Sequence, residues 1–235
     1  MSRAAGGPES SPPTVFLDRV RLEPDPVEVL RYLGCPPGMA PNGKIAQRID
    51  RAIDDARGVL KARGMYTTYR VLSSARRRLT LVSGDAFTGP VREYLGRAQR
   101  IAVFLTTAGP GISWMAENAM HKGDVLGGLV FNAIGSHIAD AMVHQIASDL
   151  RGRLPLDESI TLPFSPGYCG IPLSQQRTIF RLLDAGRLRV KLLPTLLMKP
   201  VKSVSGLFGI GSADAVILGR NPCDRCSLID CQMRR

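Results

Sequence analysis

The sequence predicts a single α+β domain, and three observations lead to it. An apolar run at 101–105 reads as a buried strand, and the alternating segments 66–72 and 79–82 read as a hairpin. Segments 44–62 and 112–150 carry apolar residues at i, i+4 spacing, the pattern of helices that bury one face. The 235 residues include 24 glycines and 17 prolines, which suits strands and helices joined by turns better than a helical bundle. Hydrophobic residues make up 44% and charged residues 22%, so a core is expected and wholesale disorder is not.

In chain order, residues 1–13 read as a flexible tail without the apolar stretch of a secretory signal. A short helix is expected at 26–33, ending near Gly34. The amphipathic helix 44–62 follows, with Ile45, Ile49, Ile53, Ala56 and Leu60 on one face. The hairpin turns around 73–78, and a short helix at 91–96 follows Gly89-Pro90. The strand 101–105 ends in the small-residue turn TTAGPG. The helical region 112–150 breaks near Gly123, and its second half places Ile134, Ile138, Met142, Ile146 and Leu150 four residues apart. A loop covers 151–163. A helix at 174–185 is expected to be capped by Ser174 and closed by Gly186. Strands are expected at 195–198, 203–208 and 215–218. No repeat or linker divides the chain, so the expected organisation is a tail at 1–13, one domain at 14–218 and a Cys-rich segment at 219–235.

Lys and Arg number 31 against 20 Asp and Glu, a formal net charge of +11. The runs Arg76-Arg77-Arg78 and Arg234-Arg235 read as solvated faces, or as contacts to an acidic partner. Nucleic-acid binding is the minor alternative, because no helix-turn-helix, finger spacing or aromatic RNA-stacking motif is present. The longest charge-free stretch, 101–116, contains Gly109, Pro110 and Gly111 and falls short of the roughly 20 apolar residues of a membrane span. No membrane association and a cytoplasmic location are therefore expected.

Four constellations could carry chemistry. PFSPGYCG, at 163–170, offers Gly167 for close backbone approach and Tyr168 for a ring face and a hydroxyl, although such a turn is often only a turn. KPVKSVSGLFGIG, at 199–211, places Ser203 and Ser205 on one face of a strand beside Gly206, either as polar contacts to a ligand or as an edge strand with a bend. His137, Asp140 and His144 share a helix face and suit a metal site or a base, or else a solvated surface. Cys223, Cys226 and Cys231 have the spacing C-x2-C-x4-C. That spacing suits an iron–sulfur cluster or zinc, with Cys35 or Cys169 able to add a fourth ligand, or else three free thiols. No P-loop, complete dinucleotide fingerprint or nucleophile elbow occurs, and no catalytic residue is assigned.

The order FLTTAGPG, GSHIADAM, SPGYCG with QQRTIFRLLD, then LLMKPVKSVSGLFG resembles the activation domain of cobalamin-dependent methionine synthase, and more closely its short stand-alone relatives that end in a cysteine cluster. The resemblance implies a twisted antiparallel sheet with packed helices. It also implies binding of S-adenosylmethionine as methyl donor for reductive remethylation of cobalamin after oxidation to cob(II)alamin. By position, Pro166, Gly167, Tyr168, Ser203, Ser205, Gly206 and the helix carboxylate Asp140 would contact S-adenosylmethionine. Two positions depart from the family. Pro163 stands where the family has an Arg that pairs the ligand's carboxylate, and Phe208 stands where it has an aromatic hydroxyl. Lys199, Lys202 or Arg177 is expected to supply the cation instead. The chain lacks the D-x-H-x-x-G signature of corrinoid binding, so cobalamin is expected only on a partner. That partner would be a corrinoid protein or core methionine synthase, with a flavodoxin-like or other electron donor, and charge complementarity would assist docking. The protein would then act in methyl transfer to cob(I)alamin or as an accessory subunit. The alternative on the same fold is an iron–sulfur or zinc redox scaffold with a degenerate ligand pocket.

Overall fold

The computed structural model describes residues 12–18, 20–36, 38, 41–168 and 170–216. Its centre is β5 (Arg100–Thr107), and residues 101–107 are all buried, as their unbroken apolar and small composition requires. β5 pairs antiparallel on one side with the long β2 (Arg63–Ala75) and on the other with β9 (Ser203–Ser212). The sheet continues outward from β2 through β3 (Arg78–Leu81) to β4 (Ala86–Thr88), and outward from β9 to β6 (Glu158–Ile160). β1 (Thr14–Leu17) also pairs with β2. Every pairing in this seven-stranded sheet is antiparallel.

The sheet is covered on both faces. One face packs on α5 (Val125–Gly152), a 28-residue helix, through Tyr66, Phe104, Phe208 and Ile210 against Val143, Ile146 and Leu150. The rings of Phe104 and Phe208 lie 4.9 Å apart across neighbouring strands. α1 (Pro26–Tyr32), α2 (Gly43–Arg57) and α4 (Pro110–His121) pack around the same helix. The opposite face carries Met65, Ile101, Val103, Leu105 and Leu207. It is covered by α3 (Val91–Leu95), α6 (Gln176–Leu182) and a 3-10 turn at Ala185–Leu188. The two-stranded ribbon of β7 (Lys191–Leu192) and β8 (Met198–Lys199) lies between that turn and β9. α5 is long and apolar enough to cross a membrane by length and composition, but its apolar stripe is the one packed against the sheet and the other helices.

Several sequence expectations are met. α4 and α5 break at Gly123, whose φ of +79° suits glycine, and the helix at 26–33 is capped by Asp25, which accepts from the Val27 N–H. Others need correction. The helix expected at 44–62 ends at Arg57, because Gly58 stops it and Lys61 donates to Ala108 O at 3.0 Å, turning the chain toward the sheet. The expected helix at 174–185 is shorter. Ser174 lies within a 3-10 turn and caps nothing, and Leu183 turns extended to drop into the core. The strand expected at 195–198 is a turn that reaches pairing only at Met198. In place of the strand expected at 215–218, residues Ala213–Val216 form a helical turn, α7, where Val216 packs against Gly211. The loop expected at 151–163 contains β6, which finds a partner only in the distant β9. Of the expected tail 1–13, residues 1–11 lie outside the described residues, and so do 217–235.

Candidate functional site

The candidate site is built along the free edge of β9. Phe164 exchanges two backbone hydrogen bonds with Leu207, of 2.8 and 2.7 Å. Two residues further along β9, Gly209 accepts from the Thr161 N–H at 3.0 Å and donates to Thr161 Oγ1 at 2.9 Å. Alternate residues of an antiparallel strand turn their backbone groups to the same side. Ser205 therefore also points its N–H and C=O away from β5, toward an edge where neither meets a backbone partner among the described residues. Ser205 as a whole is 2% exposed, and its hydroxyl has no hydrogen-bond partner among them. A buried hydroxyl left unpaired costs about 1–3 kcal/mol, so the position suits a group that arrives with a ligand.

Gly206 is fixed by packing. A Cβ there would stand 2.5 Å from Phe164 O and 2.6 Å from the Phe104 ring. That close approach lets the chain leave β9 at Ser165 and form the next turn. In this turn Gly167 has φ of +91° and donates to Ile171 O at 2.8 Å, while the Ile171 N–H returns to Tyr168 O at 3.0 Å. Pro166 is buried, and Tyr168 is 70% exposed with its hydroxyl unbonded among the described residues. The edge of β9 thus carries the SPGY turn beside Ser205 and Gly206, although about 40 residues separate them in sequence.

Ser203 lies at the same end. Its hydroxyl donates to Pro200 O at 2.8 Å and lies 3.0 Å from Thr107 Oγ1. Register places Arg63, Thr107 and Ser203 in one row across β2, β5 and β9, with side chains on the α6 face. Arg63 Nη2 donates to Leu188 O at 3.1 Å, its Nε is buried without a partner, and it forms no ion pair among the described residues.

The three cations expected from the sequence stand elsewhere. Lys202 reaches across to α5 and donates to Ser136 Oγ at 2.9 Å, and burial lowers its pKa. Lys199 is exposed on the β7–β8 ribbon, and exposed Arg177 contacts Pro194 O at 3.5 Å. Arg63 was missed by sequence reasoning. Its signal was present: it is in phase with Met65 and Thr67, both buried, so a charge occupies an inward position of the strand.

Asp140 is placed differently from the serines. Thr106 Oγ1 donates to the carbonyl of neighbouring Ala139, so Asp140 sits at the same end of the sheet but over its other face. There it accepts a hydrogen bond from the Tyr32 hydroxyl of α1. Burial, reinforced by Asp140, pushes the Tyr32 pKa up. His137 Nε2 accepts from the Asp25 N–H at 3.2 Å, and burial holds its pKa below the usual histidine value against the pull of Glu28, Asp25 and Asp140. His144 is exposed. His137 and Asp140 therefore form a joint between α1 and α5, and His144 lies outside it. No group of three or more metal-ligating side chains exists among the described residues. Cys223, Cys226, Cys231 and Cys169 lie outside the described residues, and Cys35 is a half-buried free thiol.

This edge can bind a polar molecule through strand-like backbone contacts, two hydroxyls, an aromatic face and a guanidinium. Among its described residues there is no nucleophile paired with a base. No protein-family model and no curated protein match the chain. The structure is similar to that described as the crystal structure of the MetH reactivation domain bound to AdoHcy, with a TM-score of 0.64 and 14% identity. The match covers 84% of this chain and 78% of the other. The likeness establishes the activation-domain fold that the sequence resemblance implied.

Proposed function

We propose that this protein binds S-adenosylmethionine along the β9 edge and presents it, in trans, to a reduced corrinoid on a separate methyltransferase. The reading rests on one observation above the others. The solved domain of the same fold is described as bound to AdoHcy, and the open edge here combines an orphaned buried hydroxyl at Ser205 with the adjoining Gly167-Tyr168 turn. When bound, S-adenosylmethionine would supply an electrophilic methyl group.

The chain's own residues would do the positioning. Ser205 would offer its backbone N–H and C=O to the ligand and bring its hydroxyl into a hydrogen bond. Tyr168 would lay a ring face against the cationic sulfonium. Arg63, in line with Ser203, would take the carboxylate in place of the family arginine that Pro163 has replaced. A corrinoid carrier with an acidic docking face would match the net charge of +11.

Titration calorimetry with S-adenosylmethionine tests the reading. Saturable one-to-one binding is expected. Tyr168→Ala should weaken it about threefold to tenfold, and Arg63→Ala about tenfold or more. Absence of saturation up to about 5 mM ligand would remove the proposal.

A further inference from the structure

The opposite end of the sheet holds a cavity of about 520 Å³ that nothing in the proposed function uses. Arg70 enters from β2, Arg92 from α3, Arg97 from the α3–β5 connection and Arg100 from the start of β5. Arg100 is paired with Glu158, whereas Arg70, Arg92 and Arg97 form no ion pair among the described residues. Among the described residues the cavity therefore carries three guanidiniums with no paired carboxylate, and a concave wall of one sign focuses its potential on whatever enters.

Its floor is fixed by backbone. Val71 donates to Gln99 O at 2.9 Å, Gln99 donates to Ile210 O at 2.9 Å, and Arg97 donates to Ala215 O at 3.1 Å. The β2–β3 register slips between Val71 and Ser73, so β2 bulges at the cavity wall. Ser73 and Ser74 line it beyond the bulge, and Ser74 Oγ is buried without a partner among the described residues. Four arginines and two serines from four different segments thus line one concave space.

The geometry points to a binding site for a small molecule bearing a diphosphate. The charge count favours that class, since a single carboxylate would leave two guanidiniums unmatched, whereas a terminal diphosphate, with about three charges near neutral pH, balances all three. The convergence into a cavity, rather than along a convex face, favours a compact anion over an extended acidic surface. The site is independent of the β9 edge. Arg100 and Thr107 mark the two ends of β5, which sets the sites roughly 23 Å apart at the usual strand rise.

Inorganic pyrophosphate, titrated into the full-length protein at near-physiological salt, is the probe. One-to-one saturation is expected. Arg92→Ala and Arg97→Ala should each weaken it about tenfold. Arg76→Ala and Arg77→Ala, on the exposed β2–β3 turn, should leave it unchanged. The arginines at 92 and 97 are exposed, so both variants should keep the parent melting temperature. S-adenosylmethionine binding, measured on the same samples, should not change, so failure of one site is distinguishable from failure of the other. No saturation up to about 5 mM would overturn the assignment. Equal losses in the turn variants would also overturn it, by showing general charge attraction, and so would an oligonucleotide that binds the cavity more tightly than pyrophosphate.

Discussion

At Ser205 a hydroxyl is enclosed by the fold and finds no partner among the described residues, while its backbone faces an edge that none of them pairs with. A residue whose role is only structural would be better replaced by alanine. Ser205→Ala should therefore leave the melting temperature of the protein alone unchanged or slightly raised, since removing an unsatisfied polar group removes its burial penalty. The same variant should bind S-adenosylmethionine about threefold to tenfold more weakly. A clear drop in melting temperature would show that the hydroxyl has a structural partner and would detach it from ligand binding. His137 makes the opposite kind of prediction. Burial lowers its pKa, so the unfolded chain takes up protons more readily near neutrality than the folded one. Stability should be unaffected well above the ordinary histidine pKa of about 6.5 and should fall as pH drops through and below it. His137→Gln should flatten that slope in thermal melts between about pH 7.5 and 5.5. An equally steep slope in the variant would place the acid sensitivity elsewhere.

Among the elements, β9 carries the strictest packing demand. Gly206 lies against Phe164 O and the Phe104 ring, with no room for a methyl group. Gly206→Ala should cost about 1–3 kcal/mol by overpacking, seen as a lower denaturation midpoint. A variant of parent stability would mean that the 164–168 segment moves aside easily. The elements that could be read from sequence are those whose pattern is long or self-contained. The stripe Ile134 to Leu150 defines α5, the run 101–105 defines β5, and Gly123 marks the break between helices. β1, β4 and β6 were missed because three or four residues hold too little alternation, and their pairing partners are distant in the chain. α7 was misread because Ala215 and Val216 look strand-like locally, whereas contact with the end of β9 decides their conformation. Arg63 was overlooked for a related reason: a lone arginine on a strand gains meaning only when register lines it up with Thr107 and Ser203.

For the molecule as a whole, the sheet separates two polar regions at its ends while keeping both faces apolar. The fold class was legible from sequence, but the cavity at the far end was not. Its arginines are scattered from 70 to 100, and only the bulge in β2 and the start of β5 bring them together. The position of β9 in this sheet has a consequence for biosynthesis. It is the last strand of the described chain, yet it lies between β5 and β6, so neither can complete its pairing until residues 203–212 have been translated. During synthesis the most apolar strand keeps one backbone edge open, with nearly a hundred residues of chain still to come before its partner arrives. Such non-local closure is slow to nucleate and leaves a template for wrong pairing between nascent chains. The growing polypeptide should therefore rely on chaperones most heavily just before β9 emerges.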